Sequence, residues 1–359
     1  MISLILNKFG KKFIMILLLN CVAAIPALAE QPPLFISSYH EKLTDEMFRD
    51  IHEEWSPHSL KAIKTASRIS DGHPSYDVAV WHCDNADYLD SRFYDGKSYP
   101  KWEKYSKLSP KDEAHAELQS CVQNAFGQFN AAAAFAGELI DRNGKPIADA
   151  YGAKECELYQ DTDNKDIPQW PGMYRPKCNT LQALGRVFHT VADLYAHSNI
   201  ADAADSSQKV GVGNPPGLKL DHHSSPFKFA DYILNPEKLN NLSEFSKLLP
   251  ENLTTGCYPD IDRFGAVSNC LEGTATPRLT HDPQTGKSTS TGLNKDSENS
   301  PRGKLQYDSS MTNFQHAWKE AKADMADAWK AFTTRLVSQY GEARAKTIVE
   351  ILKQDSATR

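Results

Sequence analysis

Thr180-Leu-Gln-Ala-Leu-Gly-Arg-Val-Phe-His189-Thr-Val-Ala-Asp193-Leu-Tyr-Ala-His197-Ser-Asn199 is apolar on nearly every side, yet it carries three ionisable groups four residues apart. Leu181, Leu184, Val187, Phe188, Val191 and Leu194 are spread around the helical wheel. Residues 180–199 are therefore expected to form a buried helix. A step of four residues advances about 40° around a helix, so His189, Asp193 and His197 share one face. Two imidazoles and a carboxylate are expensive to desolvate without partners. A divalent metal satisfies all three, and zinc is the default for mixed His and Asp donors. The alternative is a solvated polar stripe, which flanks this apolar do not favour. Tyr195, Ser198 and Asn199 are candidates for hydrogen bonds that support the ligands.

Other segments also read as helices. Residues 44–55 start with Thr44 as a cap and with acids at Asp45 and Glu46. Residues 112–142 are alanine-rich, with Leu118, Val122, Phe126, Phe129 and Ala133 at helical spacing. Residues 311–340 are amphipathic through Trp318, Met325, Trp329, Phe332 and Leu336, and residues 342–353 continue the pattern beyond Gly341. Two-residue alternation is scarce, so the expected class is mainly α, with at most a small hairpin in the irregular parts. Residues 143–179, 201–226 and 271–309 are rich in Pro, Gly, Ser, Thr, Asp or Asn and read as long loops.

The 359 residues are 40% hydrophobic and 24% charged, which excludes a disordered or fibrous chain. A net charge of -6 weighs against a dedicated duplex DNA binder. Residues 1–29 read as a secretory signal: Lys8, Lys11 and Lys12, an apolar run over 13–22, Pro26, then Ala27-Leu-Ala29. The run is short for a membrane span. Cys21 follows Asn20, a poor residue to precede a lipoprotein cysteine. Cleavage after Ala29 would remove three lysines and no acids, taking the formal charge from -6 to -9. It would leave Cys83, Cys121, Cys156, Cys178, Cys257 and Cys270, an even set that reads as three disulfides in a secreted or periplasmic protein. Six cysteines allow fifteen pairings, and the sequence does not choose among them; short loops favour pairing neighbours. There is no CxxC pair to suggest a cysteine metal site. Residues 30–359 read as one mainly helical domain.

Three further clusters hold candidate ligands. His82-Cys83-Asp84 follows His40 and Asp71, and His82 and Asp84 would point the same way only in an extended backbone. His281-Asp282 precedes Gly292-Leu-Asn-Lys295-Asp296-Ser297, where Lys295 could orient Asp296 or contact a phosphate. His222-His223 lies in a turn-like context and ranks below these.

The run from Leu184 to Asn199 resembles the core motif of the Het-C family, which is similar to zinc-dependent phospholipases C and single-strand-specific zinc nucleases. Tyr39-His40-Glu-Lys-Leu-Thr44-Asp, Trp81-His82-Cys83-Asp84-Asn85 and His281 with Gly292-Leu-Asn-Lys295-Asp296-Ser resemble further segments of that family, in the same order. The resemblance implies a phospholipase C/zinc nuclease-like helical fold, with long disulfide-containing loops, holding two or three zinc ions. It implies His40 as an early ligand, Asp71 and His82 on a first metal, and His189 with a bridging Asp193. It further implies His197 and His281 on another metal, with Asp296 completing it. The chain departs from the enzymes in three ways, one being the shorter, Het-C-like spacing from Asp193 to His197. They bind zinc through an N-terminal tryptophan, whereas the expected start here is Glu30. The gap from His82 to His189 is also enlarged, which suggests an insertion around 90–179.

The resemblance points to a zinc-dependent phosphoric-diester hydrolase, most simply a phospholipase C acting on phospholipid headgroups at a membrane surface. In that role Asp71 would orient or deprotonate water, and Lys295 would stabilise phosphate charge. Nucleic acid is the less favoured substrate, as for a zinc nuclease on single strands, which would need an aromatic base-stacking pocket. The third reading is a non-catalytic or toxin-like Het-C protein that binds membranes or proteins.

Overall fold

A helix that is apolar on all sides has to be surrounded, and this requirement organises the chain. The computed structural model describes residues 37–71, 79–101, 107–157, 175–258, 270, 278–281 and 291–357. The expected signal at 1–29, together with Cys21 and Asp282, lies outside them. The helices are α1 (Ser37–Asp50), α2 (Pro57–Ile69), α3 (Ala79–His82), α4 (Pro110–Gly137) and α5 (Pro176–His197), followed by α6 (Phe229–Leu234), α7 (Glu237–Asn240), α8 (Leu242–Ser246), α9 (Asn313–Tyr340) and α10 (Glu342–Lys353). The protein is mainly helical. Among the described residues there is no strand and no hairpin, only isolated bridges such as Ser198 with Thr255 and Cys257 with Thr280.

α5 is the central element. Every residue from Val187 to His197 is buried. α2, α4 and α9 pack against it, α1 packs on α2 and α9, and α10 packs on α9. Gly185 lets α2 approach α5 closely: a Cβ there would lie 2.4 Å from Ala66 Cβ and 2.7 Å from the Ser67 nitrogen. The long outer helices are capped by local sequence. Ser109 accepts a hydrogen bond from the Asp112 N–H ahead of α4, and Thr312 forms a capping box with Gln315 ahead of α9. Gly341, at φ 79°, breaks α9 from α10.

The first helix differs from its expected bounds. α1 begins at Ser37, and Thr44 lies inside it, donating to the His40 carbonyl at 2.8 Å rather than capping. Leu43, Met47 and Phe48 make a buried face that continues upstream through His40. The imidazole breaks the apolar pattern in sequence, although it is as buried as its neighbours. The helix ends before 55 because His52 takes a left-handed φ of 57°.

The cysteines pair as neighbours, Cys83–Cys121, Cys156–Cys178 and Cys257–Cys270, with Cα–Cα distances of 5.2, 5.2 and 5.8 Å. The first ties the turn after α3 to α4; the second ties residue 156 to the first turn of α5. Three such pairs suit an oxidising compartment. No helix among the described residues is long and apolar enough to cross a membrane.

Gly185→Ala is expected to destabilise the protein by about 1–3 kcal/mol, because the added methyl meets backbone across the α2–α5 contact. Urea unfolding measures this, and an unchanged midpoint would refute the close packing.

Candidate metal centre

Five elements deliver side chains to one face of α5. α1 supplies His40. Asp71 follows α2, held by its N–H donating to the Arg68 carbonyl at 3.0 Å. His82 ends α3. The backbone then turns through Cys83 at φ 56° and Asn85 at φ 69°, so it is not extended at Asp84. His82 and Asp84 therefore diverge, and each reaches a different cluster of ligands. The segments holding His281 and Asp296 close over the end of α5.

Asp193 is the hub of the first cluster. Its Oδ2 lies 2.6 Å from His82 Nδ1 and 3.0 Å from His189 Nε2, and its Oδ1 lies 3.2 Å from His40 Nε2. Asp71 Oδ2 is 3.5 Å from His40 Nε2, and Asp71 Oδ1 is 3.7 Å from His189 Nε2. His189 Nδ1 faces the Ser67 carbonyl at 3.0 Å. That bond assigns the proton to Nδ1 and turns Nε2 toward the centre as a donor atom. Ligand atoms of His40, Asp71, His189 and Asp193 all lie within 4.8 Å of one another, close enough to share one ion.

Asp84, His197 and His281 form a second such group. His197 lies between two carboxylates, with Nδ1 3.4 Å from Asp84 and Nε2 3.0 Å from Asp296. The His197 and His281 rings are 4.1 Å apart. Gly256 joins the three backbone segments. Its N–H donates to the His197 carbonyl at 3.1 Å, and its carbonyl accepts from the Asn85 N–H at 2.9 Å. A Cβ on Gly256 would lie 2.3 Å from His281 Cα, so only glycine fits between them.

Lys295 lies beneath this group. Its ammonium is fully buried and donates to the carbonyls of Ser198 and Leu293 and to Asp202. With those bonds made inside the fold, its geometry is that of a strut holding Asp296 beside His197, not of a phosphate contact. Asp202 also takes a two-bond pair from Arg302, both at 2.8 Å. A matching strut, Arg278 on Asp87 at 2.8 Å twice, holds the chain just before His281. Tyr195 donates to Asp324 at 3.1 Å, and the Asn199 side chain bonds Pro216, Asn252 and Thr254. Among these, Asn199 ties loops together and Tyr195 reaches α9; neither bond is to a ligand.

The donor set fits a divalent metal. One carboxylate oxygen each of Asp71, Asp84, Asp193 and Asp296 is buried and accepts no hydrogen bond among the described residues. Buried carboxylate oxygens left this way are costly, and a cation is the usual remedy. Protons and a metal compete for the site. For Asp193, burial acts upward, but the charges of His189, His197 and His40 win and hold it well below the usual carboxylate range. For His82, burial acts downward, but its hydrogen bond and charge contact with Asp193, then Asp71 and Asp84, push it up to about 9.

Of the expected ligands, His40, Asp71, His189 and Asp193 fall in the first group and His197 and His281 in the second, whereas His82 and Asp296 lie beside them, paired with Asp193 and His197. Asp84 joins them as a member of the second group in its own right. His-x-Asp spacing was the available signal for it, and only the turn geometry shows where Asp84 points. Gly256 left no sequence signal. His222 and His223 sit elsewhere, against α9.

Two outcomes follow. Gly256→Ala is expected to displace His281 and lower bound metal by about one ion per chain, read by metal analysis; full loading would refute the threading. Below about pH 9 a metal must expel the His82 proton. Affinity should therefore rise with pH up to that value, about tenfold per unit for each proton released; calorimetry in buffers of different ionisation heat measures the release, and none at pH 7 would count against it. No protein-family model, no curated protein and no solved structure matches the chain.

Proposed function

We propose that the chain is an exported zinc-dependent phosphodiester hydrolase, a phospholipase C that acts on phospholipid headgroups at a membrane surface. The observation that supports this most is the pair of adjacent His/Asp groups sharing α5. His40, Asp71, His189 and Asp193 would hold one zinc, with His82 paired to Asp193 beside it. Asp84, His197 and His281 would hold another, with Asp296 fixing His197. When bound, zinc supplies Lewis-acid neutralisation of a phosphodiester and acidifies water.

The chain's own groups do the rest. Asp71 is the most open of the ligand set, its side chain 13% exposed against 1% for Asp193. It is the carboxylate placed to orient a water and accept its proton. Lys295 positions Asp296 from below. The phospholipase C-like fold, the signal at 1–29 and release from the cytoplasm belong to this reading, and the three disulfide pairs support export.

Chelation should abolish hydrolysis of phosphatidylcholine, and zinc should restore it. Asp193→Ala should lose both metal and turnover. Asp71→Asn should keep most metal and lose roughly 10²–10⁴ in rate, as for removal of a general base. Single-stranded DNA is assayed in parallel. Cleavage of DNA alone would transfer the site to the nuclease reading. Hydrolysis of neither substrate by fully loaded protein would leave a non-catalytic metal protein.

A further inference from the structure

A second cluster of ligand-type side chains lies outside the buried centre and shares no residue with it. His222 and His223 occupy a single 3₁₀ turn, His222–Ser224, which packs on α9. Asp327 projects from α9 beside them, its Oδ2 3.9 Å from His222 Nε2. The two rings are 4.1 Å apart. One ligand atom from each of His222, His223 and Asp327 lies within 4.8 Å of the others.

Spacing alone would not distinguish this from an ordinary surface cluster. The environment of His222 does. Its Nδ1 faces Glu320 Oε2 at 2.9 Å, and its backbone N–H donates to the same oxygen at 3.0 Å. Glu320 is itself only 3% exposed and is further held by Lys319 at 2.8 Å. A carboxylate on Nδ1 puts the ring proton there and leaves Nε2 as the lone-pair nitrogen facing Asp327. This carboxylate–histidine pairing is the one that orients histidines toward metals. The ring is thus fixed before any ligand arrives, while His223 and Asp327 are exposed and free to adjust. Asp221, Asp324, Lys228 and the buried His316 also lie around the turn; Asp221 accepts the His223 N–H, and Asp324 accepts from Tyr195. Lys228 caps the His223 carbonyl, and His316 faces Glu320 Oε1 at 3.6 Å, so neither ammonium nor imidazole points at the three ligands.

We infer that His222, His223 and Asp327 form a separate surface site for a borderline divalent cation such as zinc, with Glu320 as the orienting carboxylate and solvent completing the shell. Imidazole donors select this class over calcium or magnesium, and three protein ligands with an open position suit zinc. The bound ion clamps the loop that leaves α5 after His197 onto α9. The inference does not depend on the hydrolase reading.

The test uses the full chain, stripped and then titrated with zinc chloride alone by calorimetry, with metal analysis after desalting. His223→Ala and Asp327→Asn alter exposed side chains, and circular dichroism confirms that each variant folds. The wild type should bind one more zinc per chain than the double variant. Each single variant should weaken that event about tenfold or more, while tightly held metal stays the same. Zinc should also slow amide exchange across residues 221–225 in the wild type only. Equal stoichiometry in wild type and double variant, or exchange at 221–225 indifferent to zinc, would overturn the assignment.

Discussion

The carboxylate of Asp193 is fully buried inside a helix that is itself enclosed, and it contacts three imidazoles within 3.2 Å. An anion so placed must be compensated, or the helix could not occupy the core. The surrounding architecture supplies that compensation. α1 contributes His40, α3 contributes His82, and α5 contributes His189 one turn away. Gly185 lets α2 approach closely enough for the Ser67 carbonyl to fix the His189 tautomer. Packing and electrostatics are therefore one problem in this fold.

The second group is built differently. The end of α5 and three irregular segments form it, and irregular backbone is costly to bury unless its polar groups are paired. Gly256 pairs them by lying between Asn85, His197 and His281. Buried charge pairs, Arg278 with Asp87 and Lys295 and Arg302 with Asp202, brace the segments from behind. Such pairs contribute modestly to net stability, since desolvation offsets most of their attraction. Their directional bonds fix where the ligand loops sit. The Cys83–Cys121 link serves the same purpose, because Cys83 stands between His82 and Asp84 and is anchored to α4.

The surface cluster on α9 follows another rule. There the orienting carboxylate, Glu320, is buried, His222 is half-buried, and His223 and Asp327 are exposed. In the centre the ligands themselves are buried, and their charges compensate one another. A buried set is preorganised but must shed protons to take a metal. The surface set relies on one fixed ring, that of His222.

Helical periodicity and the four-residue spacing on α5 were enough to show a mainly helical chain with a buried ionisable face. Local sequence also signalled the break at Gly341 and the even cysteine count. These features depend on neighbours along the chain, which is why they were legible. α1 starts seven residues before the cap pattern at Thr44, because the burial of the polar His40 depends on partners distant in sequence. α2 and the short helices α6 to α8 carried no decisive pattern of their own. The divergence of His82 from Asp84, the strut role of Lys295 and the passage of Gly256 between ligand loops were set by tertiary structure alone. Each depends on a left-handed turn, a buried partner or a close approach between segments far apart in sequence, and no local spacing encodes those.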